Sequence, residues 1–137
     1  MFRKQALTPS TVSAPIGPYS HSYAVDIGDV RLIFVAGQCG TLPDGKIAGD
    51  NDMFAQAHQT LVNIEAILEA NGASFADVVK STTFLTDIER RAEVSRARET
   101  FLPSPPPPST LVEVPRLIDP DYLIEMEVIA ALNIARD

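Results

Sequence analysis

The chain is short of cysteine, histidine and clustered positive charge, and it has no long apolar run. Each shortage removes a class of function. A single cysteine, Cys39, cannot form an internal disulfide, which fits a reducing compartment. Apolar runs such as Leu32 to Ala36 have the length of a strand and fall far short of a membrane span. Met1-Phe2-Arg3-Lys4-Gln5 has basic residues but no apolar segment after them, so no secretory signal is expected and the protein reads as cytoplasmic. His21 and His58 are far apart, and no Cys or His stands near them at ligand spacing, so no zinc site is implied. The net charge is −7, and Lys and Arg are scattered apart from Arg90–Arg91 and Arg96/Arg98, in a segment read as helix. A phosphate-binding face needs clustered cations. Nucleic acid and membrane are therefore not expected partners, and a small-molecule ligand is.

What is present suits one folded domain. The chain has 137 residues, 45% of them hydrophobic and 21% charged. Its first eighteen or so residues are rich in Ser, Thr, Pro and Gly and read as an irregular arm, with residues 1–13 as its clearest part. Tyr23–Ile27, the Gly28-Asp29 turn and Arg31–Ala36 read as a β-hairpin. A long turn-rich connection over 40–51 leads to a helix capped by Asp52, with Phe54, His58, Leu61, Ile64 or Glu65, and Leu68 at helical spacing. Asn71-Gly72 ends it. Val78–Leu85 reads as a strand, Glu89–Phe101 as a second helix capped by Asp87, and Pro105–Pro108 as a stiff spacer. Thr110–Val114 and Leu123–Leu132 are the last strands. The order β-β-α-β-α-β-β predicts an α+β domain with both helices on one face of a mixed sheet. The other face would then be bare, and an oligomer should cover it.

The final strand carries the most information. Side chains alternate along a strand. Ile124, Met126, Val128, Ala130 and Leu132 make a clean core face, whereas Leu123, Glu125, Glu127, Ile129 and Ala131 place two carboxylates on the other. Either both acids face solvent near a strand end, or one lines a cleft where partial burial raises its pKa and lets it hold a water or pass a proton. Tyr19 follows Gly17-Pro18, a pair that fixes the backbone before it. It either packs the arm onto the body or offers a binding group on a loop. Cys39 has no motif that would activate it. No G-x-S-x-G elbow surrounds a serine, and the glycines make no phosphate loop.

Several segments in order resemble one family. They are Ala14-Pro15-Ile16-Gly17-Pro18-Tyr19-Ser20, Phe34-Val35-Ala36-Gly37-Gln38, the helix Gln56 to Gly72, Asp77 to Asp87, Pro107 to Val114, and Ile124 to Ala130. Together they resemble the RidA/YjgF family, also described as endoribonuclease L-PSP, over about residues 14–132. The resemblance implies a chorismate-mutase-like fold and a homotrimer with a central barrel, whose ligand clefts lie between subunits. It implies cofactor-free, metal-free hydrolysis of small imines and enamines such as 2-aminoacrylate, giving a keto acid and ammonia. It further implies that Glu125 positions the attacking water, that Tyr19 lines the cleft, and that Ala36, Gly37 and Gln38 border it with Ser109 and Thr110.

One position departs from that pattern. The family arginine that pairs with the substrate carboxylate stands three residues before Val-Glu-Val, and in this chain that residue is Ser109. An arginine offers two parallel charged hydrogen bonds, a serine one neutral donor. From sequence, then, 2-aminoacrylate should be held poorly, and Arg116 looks like a different family position. The readings that follow are a deaminase-type hydrolase of a small reactive metabolite, the same chemistry on a catabolic intermediate other than 2-aminoacrylate, or a trimer that binds a metabolite without turning it over. Ribonuclease action fits poorly with the negative charge and the lack of a histidine pair.

Overall fold

Gly28, at φ 60°, closes the first hairpin, and apolar alternation on either side of it drives the strands together. The computed structural model describes residues 2–134. Its elements are β1 (Phe2–Ala6), β2 (Ser22–Ile27), β3 (Val30–Cys39), α1 (Met53–Ala70), β4 (Val78–Leu85), α2 (Arg91–Arg98), β5 (Ser109–Glu113) and β6 (Ile124–Asn133). Short 3-10 turns, Phe75–Asp77 and Ile88–Arg90, precede β4 and α2. The strands form one sheet in the order β1-β2-β3-β6-β4-β5. Only β4 and β5 run parallel, so the sheet is mixed. The α+β class expected from the sequence is the one found.

The N-terminal arm is the main difference. Phe2–Ala6 is not irregular but a strand, paired antiparallel with β2. All five of its residues are exposed, so it has no buried face to leave a hydrophobic pattern. What orders it is the free backbone edge of β2, which no side-chain periodicity records. Residue 1, and 135–137 at the far end of the expected domain, lie outside the described residues. The second helix is also shorter than expected. Asp87 does cap the segment, accepting from the Glu89 amide at 3.0 Å, but what it caps is a 3-10 turn. The α-helix stops at Arg98, whose carbonyl accepts from the Phe101 and Leu102 amides.

The first helix follows its sequence signals closely. Asp52 accepts from the Ala55 amide at 2.9 Å, and Asn71 closes the other end. α1 packs on β3 and β6 and against α2. Leu61, Ile64, Ile67 and Leu68 meet Ile33, Val35, Ile124, Met126, Val128 and Ala130 in the core. His58 sits at the rim of that core, stacked on Phe54 and edge-on to Phe101. The opposite sheet face carries no helix, and Tyr23, Phe34 and Val112 are 41%, 45% and 39% exposed there. Among the described residues, no helix is long and apolar enough to cross a membrane.

Candidate active site

β3 and β6 fall out of step at one point, and that point shapes the site. Val35 pairs with Val128 and Gln38 with Met126, so Ala36 and Gly37 together face the single residue Glu127. This is a β-bulge, a device that redirects side chains near functional sites. Beyond the bulge, Cys39 pairs with Glu125, and Glu125 pairs with Phe84 on its other side. The Glu125 carboxyl lies directly over Gly37. A β-carbon at Gly37 would stand 2.7 Å from Glu125 Cδ and 3.0 Å from Oε2. Only glycine leaves that space to the carboxyl group.

Glu125 is half-buried. Burial, the largest cause, and the neighbouring Glu127 charge raise its pKa, against a hydrogen bond from Cys39 that lowers it. Cys39 Sγ donates to Glu125 Oε1 at 3.8 Å. Burial first, and the Glu125 charge second, push the Cys39 thiol up to about 12, so it stays protonated and serves as a donor rather than a nucleophile.

A cavity of about 550 Å³ opens above this pair. Tyr19, Ala36, Gly37, Gln38 and Glu125, five of the residues expected from sequence, line it. The arm supplies one wall. Its residues 12–21 are held by His21, which is buried, with Nε2 2.7 Å from the Ser13 carbonyl and Nδ1 accepting from Gln38 Nε2 at 3.1 Å. Gln38 also donates to the Ala36 carbonyl, so it acts by holding the bulge and arm rather than by reaching into the open space. Tyr19 edges onto His21, with ring centroids 6.4 Å apart.

The far wall is polar. Thr41 Oγ1 and Tyr122 OH lie 2.6 Å apart, and burial, opposed by that bond, raises the Tyr122 pKa. Asn63 on α1 donates to the Cys39 and Thr41 carbonyls at 3.2 and 2.8 Å, fastening the exit of β3 to the helix. Gln56, two turns earlier, donates to the Asp121 carbonyl and accepts from the Leu123 amide, fixing the entry of β6. Cys39, Thr41, Asn63, His21 and Tyr122 were not among the expected site residues. No motif marks them, because they meet only when the bulge and the β3–β6 register are known.

Ser109 and Thr110 stand elsewhere. They begin β5, beside β4, and are exposed outside this cavity. Ser109 Oγ accepts from Arg98 Nη1 and Nη2, both at 3.3 Å, and Thr110 Oγ1 accepts from Lys80 Nζ at 2.6 Å. Arg116 bonds the Leu117 and Ile118 carbonyls and stays on the surface. Among the described residues, no group of three His, Cys, Asp or Glu side chains could hold a metal ion.

The family model described as endoribonuclease L-PSP matches residues 10–132. The chain belongs to the RidA/YjgF family. A RutC family protein of Pyrococcus abyssi is 39% identical over 127 residues, covering 93% of this chain and 96% of its own length. A protein of Escherichia coli named 2-iminobutanoate/2-iminopropanoate deaminase is 39% identical over 129 residues, covering 90% of this chain and 95% of its own. The crystal structure of RidA from an Antarctic Psychrobacter superposes with a TM-score of 0.82 at 32% identity, covering 93% of this chain and 99% of that one. Membership in the RidA/YjgF family therefore extends over both the arm and the strands that build the Glu125 cavity.

Proposed function

We propose that this chain is a cofactor-free hydrolase of small imines or enamines, in which Glu125 positions and deprotonates the attacking water. The observation that carries this reading is the Glu125 carboxyl seated over Gly37, half-buried and with a raised pKa, at the wall of a cavity of about 550 Å³. A carboxylate so placed accepts a proton from water more readily than one in bulk solvent. Water adds to the C=N carbon, its proton passes to Glu125, and the nitrogen is protonated in turn. The resulting carbinolamine then collapses to a carbonyl compound and ammonia. An enamine enters the same sequence after tautomerising to its imine. The deaminase name carried by the Escherichia coli relative supports this reaction class.

The working unit is a homotrimer with the open sheet faces turned inward, a cytoplasmic protein with its ligand clefts completed between subunits. Tyr23, Phe34 and Val112 are the exposed apolar side chains that such assembly would cover.

The test is a panel of imines and enamines generated in place, with and without a carboxylate, read as ammonia release and keto product. Release above the uncatalysed rate for at least one substrate is expected from a protein that light scattering shows to be a trimer. A trimer that accelerates none of them would leave a metabolite-binding role in its place.

A further inference from the structure

Several polar side chains on the cavity wall spend their hydrogens inside the protein. Gln38 donates to the Ala36 carbonyl and to His21, Asn63 to the Cys39 and Thr41 carbonyls, and Cys39 to Glu125. Thr41 and Tyr122 are different. Their hydroxyl oxygens lie 2.6 Å apart, and among the described residues they bond only to each other. Each hydroxyl carries one hydrogen. Whichever of the two donates, the hydrogen of the other is left over, beside a cavity that both residues line. Tyr122 is only 7% exposed, and a buried donor of this kind calls for an acceptor.

Both hydroxyls are held in place from α1, by the buried carboxamides of Gln56 and Asn63. Asn63 donates to the Thr41 carbonyl at 2.8 Å. Gln56 donates to the Asp121 carbonyl at 3.0 Å and accepts from the Leu123 amide at 2.8 Å, so it grips the chain on both sides of Tyr122. These amides already fasten the exit of β3 and the entry of β6, so the hydroxyl pair is not needed for that. Fixed polar groups of this kind give a pocket its specificity. The Thr41 amide turns back onto the Cys39 carbonyl at 2.8 Å, which sets the pair one short turn beyond the thiol that donates to Glu125. Within one subunit, the described lining of the cavity has the carboxyl groups of Glu125 and Glu127 and no Lys or Arg. A donor in such surroundings suits a neutral acceptor better than an anion. Burial, opposed by the bond to Thr41, raises the Tyr122 pKa and keeps its hydroxyl a donor at neutral pH.

We propose that the Thr41–Tyr122 hydroxyl pair is a substrate-binding subsite that donates one hydrogen bond to a neutral oxygen, such as a ketone or ether oxygen, on the tail of the substrate. This rests on the hydrolase reading above and narrows it. The substrate is then an imine or enamine whose reacting carbon faces Glu125 and whose tail carries an oxygen acceptor to the pair. The pair selects among substrates and takes no part in the chemical step. A purely alkyl tail would leave the spare hydrogen covered and unpaired, and that cost is the source of the discrimination.

The test uses the intact trimer and unreactive ketones of matched shape, with dissociation constants from NMR titration. The probes 2,5-hexanedione and 2,6-heptanedione carry a second carbonyl, which 2-hexanone and 2-heptanone replace by a methylene. The double variant Thr41→Val/Tyr122→Phe removes both hydroxyls and keeps the shape of the wall. It should weaken at least one diketone by about threefold to tenfold relative to its monoketone, the size of one neutral hydrogen bond. Thr41→Val and Tyr122→Phe alone each keep one hydroxyl and should show a smaller loss of the same kind. These single variants decide the question if the double variant fails to fold. A wild type that binds neither diketone would overturn the proposal, as would an unaltered ratio of diketone to monoketone in the variants. Equal weakening of diketones and monoketones would also overturn it, because a merely structural pair gives that result. If the diketones bind through the pair but no imine is hydrolysed, the hydrolase reading fails and the subsite stands. If imines are hydrolysed and the variants leave the ratio unaltered, the hydrolase reading stands and the subsite fails.

Discussion

The two faces of β6 share a backbone and little else. On one, Ile124, Met126, Val128 and Ala130 are all buried against α1 and the neighbouring strands. On the other, Glu125 is half-buried and Glu127 exposed, beside a bulge and a glycine that exist to give the carboxyl room. The first face holds the fold together. The second carries unfavourable terms, a raised carboxyl pKa and an exposed apolar surface, that only a ligand site or an assembly makes sense of. Substitutions on the two sides should therefore fail in different ways.

The largest stability effect belongs to the covered face. Ile124→Ala removes a fully buried side chain from the centre of the core and should cost about 2–5 kcal/mol in chemical denaturation. A loss under about 1 kcal/mol would mean that this face is packed less tightly than its burial indicates.

Two glycines three residues apart in sequence sharpen the contrast. A β-carbon at Gly40 would stand 2.7 Å from Gln56 Cα and 2.8 Å from its carbonyl oxygen, which are backbone atoms of α1. The helix cannot yield cheaply, so Gly40→Ala should destabilise by about 1–3 kcal/mol. At Gly37 the obstacle is the flexible Glu125 side chain. Gly37→Ala should unfold within about 1 kcal/mol of the wild type, because displacing an exposed-side carboxyl disturbs no core packing, while turnover falls as Glu125 is pushed aside. Thermal melts and rates on the same preparations separate the two.

The smallest effect has a sign opposite to the usual one. A raised native pKa means that Glu125 favours folding in its protonated form. That contribution is fully present below the ordinary glutamate pKa and is lost as pH rises through the native value. Glu125→Gln is neutral throughout, so it should melt at a slightly higher temperature than the wild type at pH 7 to 8, with the difference shrinking toward pH 4. A variant less stable than the wild type at neutral pH would place Glu125 among structural residues.

Sequence reading reached the covered face more completely than the open one. The alternation in β6, the Asp52 and Asn71 caps of α1 and the strand Val78–Leu85 were all legible, because burial and capping leave periodic or positional marks. β1 left none, being exposed along its whole length and held by backbone pairing. Strand alternation and the Gly17-Pro18 pair raised Glu125, Glu127 and Tyr19 as candidates, and the family resemblance chose Glu125 and joined it to Tyr19 and the Ala36-Gly37-Gln38 turn. Cys39 beneath Glu125 depends on a register that a one-residue bulge shifts, and the Thr41–Tyr122 pair joins residues 81 apart in sequence.

The most direct test of the account is hydrolysis of an amino-acid-derived imine, followed as ammonia and keto acid, by the wild type and by Glu125→Gln with both confirmed as intact trimers. Loss of a general base costs about 10²–10⁴ in rate. The account predicts a loss of that order in kcat with the trimer and its thermal stability retained. A Glu125→Gln trimer that turns over the imine as fast as the wild type would contradict it.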